Sequence, residues 1–351
     1  MKTASLNTLA WQKLKGKKMS FSAFLFICVC VFIAFFAVPL SPDKTPMGNQ
    51  MHLELATLKP FTKITFLEIP KTIEVNTPFF EGLFFGKPSK VKRIPISLFS
   101  EIKNGLNYFP YQSDLEQNYI GAYNIKTQTF FFGTDKYGRD LLSRILYGIR
   151  ISLSVGFIAV FISLVIGISL GLIAGYFRGR TDDLIMWIVN VIWSIPTLLM
   201  VIAITLALGK GFWQVFVAVG LTMWVEVARI VRGQVLSIRE LEYVEAGKAL
   251  AYKPFRIIFK HILPNVIGPV IVISAANFAA AILIEAGLSF LGIGAQPPAP
   301  SWGGMIKDHY AYIIMDKAYL AIIPGVAIMS LVLAFMLLGN GLRDAFDVKE
   351  K

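Results

Sequence analysis

Few side chains in this sequence are placed to make or break bonds. The three histidines, His52, His261 and His309, all fall outside the long apolar runs. A serine hydrolase working inside a membrane needs a base beside its serine, and no apolar run supplies a histidine. The chain has no His-Glu-x-x-His pair for a catalytic metal and no Gly-x4-Gly-Lys-Ser/Thr loop to cradle a nucleotide. What remains is the chemistry of recognition. Asp135, Arg139, Asp140 and Arg144 stand close together just before an apolar run. They suit either a clamp on a carboxylate or amine, or a short interfacial helix packed on a partner chain, with Asp135 and Gly138 giving turn and cap chemistry. Asn190, Ser194, Ser274 and Asn277 sit inside apolar runs. Polar groups there are costly and mark either a transport path or hydrogen bonds between helices. Arg229 and Arg232 are switch residues or interfacial anchors, with Glu226 one turn away as an ion-pair partner.

The elements that must hold these residues are membrane helices. Of 351 residues, 55% are hydrophobic and 16% charged, with a net charge of +12. A soluble protein of this length keeps more charge. The excess of Lys and Arg fits cytoplasmic loops better than nucleic-acid binding. A spanning helix needs about 20 apolar residues. Six runs qualify, near 20–40, 151–177, 183–208, 212–231, 266–291 and 318–342. The first follows Lys13, Lys15, Lys17 and Lys18 and lacks a small-x-small cleavage site, so it is expected to stay as an anchor. Arg178 and Arg180, then Arg232, Arg239, Lys248, Lys253, Arg256 and Lys260, then Arg343, Lys349 and Lys351 all fall on the side of the N-terminus. The loop around Lys210 is poor in charge. The positive-inside rule therefore puts both termini in the cytoplasm. Pro196 and Pro324 are expected to kink their spans, and Glu285 to lie at the outer, solvated end of the fifth. Cys28 and Cys30, two apart in the first run, are expected to be unpaired fillers. Residues 41–130 differ in kind. The alternation of Ile64 with Phe66 and Ile73 with Val75, punctuated by Pro and Gly, suggests short strands in an external insert.

The connection between spans four and five is the most informative stretch. Ser237, Ile238, Arg239 and Glu240 have the form of a capping box, which marks a helix start. Ile238, Leu241 and Val244 then share one face. After a turn near residues 251–253, Pro254 suits the first position of a second helix. Ile257, Ile258 and Ile262 are its apolar residues, and Leu263, Pro264 and Asn265 end it. Two short amphipathic helices on the cytoplasmic side either lie on the bilayer or dock into a soluble partner.

Glu245-Ala246-Gly247, followed by His261, Leu263, Pro264 and Asn265, resembles the "EAA" loop of ABC importer permeases. Gly133-Thr134-Asp135 with Gly138-Arg139-Asp140, the 228–234 segment, Leu288 to Gly292, the Pro-rich 296–303 segment and Gly341-Leu342-Arg343-Asp344 narrow the match. Together they resemble the C-type permease of dipeptide, oligopeptide and nickel importers over about 130–351 plus the first helix. The resemblance implies an all-α membrane protein of six transmembrane helices. It has a long external insert, part β and part irregular, between helices one and two, and a cytoplasmic coupling-helix loop between helices four and five. The expected division is 1–40 for the N-terminus and first helix, 41–130 for the insert, and 131–351 for the permease domain with its coupling loop at 233–265. In such a system Glu245, Ala246, Gly247, Ala251, His261, Leu263 and Pro264 form the ATPase-coupling segment, with Glu245 touching the ATPase or orienting the helix. The implied partners are a second permease, two ATPase subunits and an external solute-binding protein. The chain itself is expected to bind no cofactor, ATP and Mg belonging to the ATPases, and no metal or nucleic acid. It is expected in the bacterial inner membrane, importing peptides first, nickel chelates second and other small solutes third. The sequence departs from the family in having Gly247 where Ala is usual and Ala251 where Gly is usual. Trp187, Asn190 and Asn340 replace expected charges. The rival class, an ion-coupled secondary transporter, calls for ionisable residues at mid-membrane, and no acidic residue is central here.

Overall fold

The computed structural model describes residues 6–71, 77–209 and 211–346. Ile73, Val75, Lys210, Lys349 and Lys351, each used in an expectation above, lie outside the described residues. The chain opens with helices α1 (Leu6–Gly16), α2 (Lys18–Phe35) and α3 (Ala37–Leu40). Strand β1 (Thr62–Pro70), helix α4 (Phe79–Phe85) and strands β2 (Val91–Ile102), β3 (Gly105–Pro110), β4 (Gln117–Ile120) and β5 (Asn124–Phe130) follow. Then come α5 (Leu141–Phe177), α6 (Gly179–Trp193), α7 (Thr197–Leu208), α8 (Phe212–Ile238), α9 (Glu242–Ala249) and α10 (Pro254–Ile257). A π-turn (Ile258–Ile262) leads into α11 (Leu263–Phe290), and α12 (Trp302–His309) and α13 (Tyr319–Phe346) close the chain.

Among the described residues, five helices are long and apolar enough to span a membrane: α2, α5, α8, α10 continued into α11, and α13. The third expected span is not one rod. It is the pair α6 and α7, bent by 90° at the break. Pro196 has no N–H to offer the helix and disfavours helical backbone at Ile195. The end of α6 closes instead through Ser194 N–H to Asn190 O at 3.0 Å and Ile195 N–H to Ile192 O at 3.2 Å. The second span starts at Leu141 rather than Ile151, because Asp140 accepts the Ser143 N–H at 2.8 Å and so caps a longer helix.

The described chain packs as two compact units. One comprises Met1–Val29, Ser152–Gln296 and Ile328–Lys351. Its centre is a row of close backbone approaches between α5 and α8. A Cβ placed on Gly167, Gly171 or Gly175 would come within 2.6–2.7 Å of the Cβ of Val227, Val231 or Val235 respectively. Three glycines four residues apart thus seat three valines four residues apart, the small-residue packing that lets membrane helices approach closely. Phe278 of α11 stacks on Phe335 of α13 with centroids 4.2 Å apart. Lys17 pairs with Asp344, holding the start of α2 to the end of α13.

The other unit comprises Cys30–Ile151 and Pro297–Ala327. Its five-stranded antiparallel sheet has the order β4-β3-β2-β1-β5. Because side chains alternate across a strand, Ile64 and Phe66 of β1 join Leu55 and Phe130 in one core, while Leu67 joins Ile96, Leu106 and Tyr108 in another. Pro95 is tolerated inside β2 beside a register shift between Ile96 and Leu98. Trp302, the largest fully buried side chain, donates its indole N–H to Ile145 O at 3.1 Å. Cys28 and Cys30 are both free.

Candidate functional site

The 239–265 connection folds as an elbow whose inner side is locked into the helix bundle of its own unit. α8 does not stop at Ser237. Its last turn runs to Ile238, whose side chain packs with Val235, and Ser237 Oγ bonds back to Gly233 O at 3.4 Å. The capping-box expectation therefore fails: burial of Ile238 carries the helix through the proposed start. Arg239 ends the helix and donates to Tyr176 O, and Glu240 pairs with Arg178 at 2.6 Å. α9 begins after Leu241, which is exposed, so only Ile238 and Val244 of the expected face are buried. Its end is a Schellman motif. Tyr252 N–H bonds Gly247 O at 3.1 Å and Ala251 N–H bonds Lys248 O at 2.9 Å, with Ala251 at φ +55°. The turn is therefore the one a glycine would make, formed around an alanine.

Pro254 opens α10, where a missing N–H costs nothing. Leu263, Pro264 and Asn265 do not end the helix. The π-turn at Ile258–Ile262 absorbs Pro264, and the helix continues as α11. Val244, Ile257, Ile258 and Ile262 are buried in one cluster with Leu172 of α5 and Val227, Val231 and Val235 of α8. Asn265 donates to His261 O at 2.7 Å and to the Tyr243 hydroxyl at 3.2 Å, tying α9 to the start of α11. His261 stacks on Tyr252, which also lies under the Arg256 guanidinium at 3.9 Å. Among the coupling candidates, Glu245, Ala246, Ala251 and Pro264 are exposed, Gly247 is buried, and His261 and Leu263 are half-buried. The outward side carries Leu250 at 66%, Phe255 at 71% and Phe259 at 58% exposure. The sequence reading passed over these three residues, although a Phe pair at i and i+4 away from the buried isoleucines was a visible signal.

A cavity of about 630 Å³ in the same unit is lined by Gln234 of α8, Pro269 and Ala276 of α11, and Gly339, Asn340 and Arg343 of α13. A second, of about 170 Å³, is lined by Trp193, Thr197, Thr222, Glu226 and Ala280. None of the four path candidates lines either cavity. Asn190 and Ser194 are exposed, and Ser194 Oγ and Ser274 Oγ bond their own helices at Val191 O and Val270 O. Asn277 is 2% exposed with its amide nitrogen unpartnered. Glu226 makes no ion pair among the described residues. Arg232 instead forks onto Asp182 with two 2.6 Å hydrogen bonds, and Arg229 lies 3.9 Å over the Trp193 ring. These partners lie 50 and 36 residues away in sequence, beyond the reach of an i, i+3 or i+4 rule. Glu285 is buried and accepts from Ser289 at 2.6 Å, so it is not at a solvated end.

In the other unit, the 133–140 segment is a tight turn closed by a Thr134–Asp140 bridge, not a short helix. Asp135 accepts the Tyr137 and Arg139 N–H groups at 2.8 and 2.9 Å and pairs with Arg139 Nε at 2.6 Å. Arg139 also reaches Asn49 at 2.9 Å. Acid and base are buried against each other, which leaves no open clamp. Burial pushes the Asp140 carboxyl up to about 6, against the opposing pull of its hydrogen bonds from Ser143. His309 accepts the Lys136 N–H at 3.3 Å through Nε2 and donates from Nδ1 to Met305 O at 2.7 Å, and burial lowers its pKa. It is a structural strut.

Residues 167–350, from within α5 to beyond α13 and including the whole elbow, match the family described as binding-protein-dependent transport system inner membrane component. This chain belongs to that family. It is 45% identical over 221 residues to a dipeptide transport system permease protein of Alkalihalophilus pseudofirmus, covering 63% of this chain and 72% of that one. It is 39% identical over 242 residues to a glutathione transport system permease protein of Pectobacterium atrosepticum, covering 69% and 80%. An oligopeptide transport system permease protein of Bacillus subtilis is 40% identical over 232 residues, covering 66% and 76%. A solved inward-facing MetNI methionine ABC transporter is 21% identical, with a TM-score of 0.49, over 58% of this chain and 96% of that one. The chain is a transport permease subunit, an inner-membrane component that works with ATPase and solute-binding subunits.

Proposed function

We propose that this permease forms one half of the path of a peptide importer, paired with a second permease and driven by two ATPase subunits. The observation that carries the proposal is the two-sidedness of the elbow. Its inner side shares a core with α5, α8 and α11, while Leu250, Phe255, Phe259 and Glu245 stay exposed. An unpartnered apolar face on a rigid lever suits a groove in a soluble protein. ATP and Mg sit on the ATPases, whose closure pulls on α9 and α10. The spans then tilt against the second permease, and solute delivered from outside by the binding protein is released inward. Both termini and the elbow are cytoplasmic, and the 41–130 insert is external. The arginines of the 178–180 and 232–256 connections support this orientation. Peptides are the substrate class, supported by the dipeptide and oligopeptide names of similar permeases.

Single cysteines at Lys248 and along the ATPase groove test the docking in assembled complexes. Cross-links from this position or its neighbours on the outer side are expected. Their absence from the whole 239–265 segment, in complexes that still transport, sinks the proposal. Glu245→Arg is expected to insert normally yet uncouple ATP hydrolysis from uptake.

A further inference from the structure

Outside the candidate spans and the elbow, α4 carries a dense run of exposed aromatic side chains. Phe79, Phe80 and Phe85 are 71%, 73% and 68% exposed, and Phe84 is also exposed. Exposed phenylalanines at this density mark an interaction surface rather than ordinary surface scatter. One side chain ties α4 to the end of α2. Arg150 donates from Nε and Nη2 to the carbonyls of Ala34 and Phe35, at the end of α2, and from Nη1 to the carbonyl of Phe84, at the end of α4. Three carbonyls left unpaired at two helix ends are thus gathered on one guanidinium. The same level is held by Lys87 N–H, which bonds Lys44 O at 2.9 Å, and by the packing of α4 on α3.

The clamp places the phenylalanines beside the last turn of a membrane span. Phe32 and Phe35 in the last turn of α2, and Phe36 and Leu40 just beyond it, are exposed as well. Lys44, Lys87 and Lys90 are exposed residues that flank α4, Lys87 and Lys90 following it closely in the chain and Lys44 bonded to Lys87, and Glu81 lies among the phenylalanines in sequence. Aromatic rings mixed with charge, at the end of a span, are the composition of the headgroup boundary and not of the hydrocarbon centre. The geometry points to α4 as a lipid anchor. Its phenylalanines lie shallowly in the leaflet where α2 ends, and the lysines face anionic headgroups. Membrane lipid, not a protein groove, covers this helix. The inference rests on α2 being a span, and its test separates the two.

With Cys28 and Cys30 replaced by alanine, single cysteines at Phe80, Phe32 and Leu115 are spin-labelled. The full transporter is reconstituted in nanodiscs containing anionic lipid. Collision rates with oxygen, which concentrates in lipid, and with a nickel chelate, which stays in water, are then read. The oxygen-to-nickel ratio at Phe80 is expected to exceed that at Leu115, an exposed residue of the insert, on the order of tenfold. High nickel access at Phe80 overturns the inference, because the helix is then in water. Low access to both reagents overturns it as well, because a protein partner then covers the site. Phe32 reports on the span: if it too is nickel-accessible, α2 does not cross the bilayer and the premise is what has failed.

Discussion

Exchanging the two residues that depart from the family pattern is expected to stabilise the elbow. Ala251 occupies left-handed backbone at φ +55°. A non-glycine residue there costs roughly 1–2 kcal/mol. Glycine removes that cost but gives up roughly 0.4–1 kcal/mol through its freer unfolded chain. The Ala251 methyl is exposed, so little burial is lost. Ala251→Gly should therefore gain about 0.5–1 kcal/mol. Gly247 lies inside α9, where glycine costs roughly 0.8–1 kcal/mol against alanine. A Cβ there would meet Tyr252 at 3.6 Å and Ile257 at 3.8 Å, both ordinary contacts. Gly247→Ala should thus gain a similar amount, and the double variant about 1.5 kcal/mol in all, or roughly tenfold in local opening. Hydrogen exchange of the 242–252 amides reads that factor directly. Ala251→Val, which adds a branched side chain to left-handed backbone, should open more readily than wild type. If Ala251→Gly exchanges faster than wild type, the Schellman geometry assigned to this turn is wrong.

Other outcomes follow from the same packing. Gly171→Leu would drive a side chain into Ala228 O and Val231, both 2.7 Å from the position of a Cβ, and should abolish stable insertion, read by protease resistance in membranes. Asp182→Ala leaves the Arg232 fork without its acceptor and should cost about 2–4 kcal/mol, while Arg232→Lys, which cannot fork, should cost less than half of that. Thermal unfolding in one detergent compares the two. Because the folded Asp140 carboxyl titrates near 6 and the unfolded one near 3.8, the folded state binds the extra proton. Stability of its unit should therefore fall as pH rises from about 4 to 6, by up to roughly 3 kcal/mol. Asp140→Asn should keep the helix cap and flatten that slope, whereas Asp140→Ala should lose the cap. Ile262→Ala, buried at the elbow's inner side, should cost about 2–5 kcal/mol and lower uptake more than ATP hydrolysis, whereas the exposed Phe255→Ala should lower assembly.

What sequence could say about this molecule depended on distance along the chain. Hydropathy located the apolar helices because a span is a local property of about 20 residues. Pro254 announced α10 and Pro196 announced a break for the same local reason, but neither could give the 90° angle between α6 and α7, which depends on what each helix packs against. The capping-box signal at Ser237 lost to tertiary burial of Ile238. The Pro264 stop signal lost to a change of helical pitch upstream. The pairs Asp182 with Arg232 and Trp193 with Arg229 are products of the fold. One long-range feature did leave a mark. Gly167, Gly171 and Gly175 form a small-residue repeat that a search for Gly-x3-Gly in apolar helices would have found.

The elbow's attachment also decides what kind of motion it can transmit. Val244, Ile257, Ile258 and Ile262 are each almost fully buried. At roughly 1.5–3 kcal/mol apiece they hold α9, α10 and the π-turn to the bundle with about 6–12 kcal/mol of apolar burial. Against this, the exposed Arg178–Glu240 pair contributes at most about 1 kcal/mol. A force applied at Phe255 or Phe259 therefore meets a stiff inner joint. Peeling the elbow away would cost more than tilting it with the helices it shares a core with. The π-turn and Pro264 keep the lever continuous with α11, and the Val227–Val231–Val235 row keeps it continuous with α8 and α5. Under the proposed function, a pull on the outer face must then appear as movement of whole spans. The loop itself is too well anchored to absorb it.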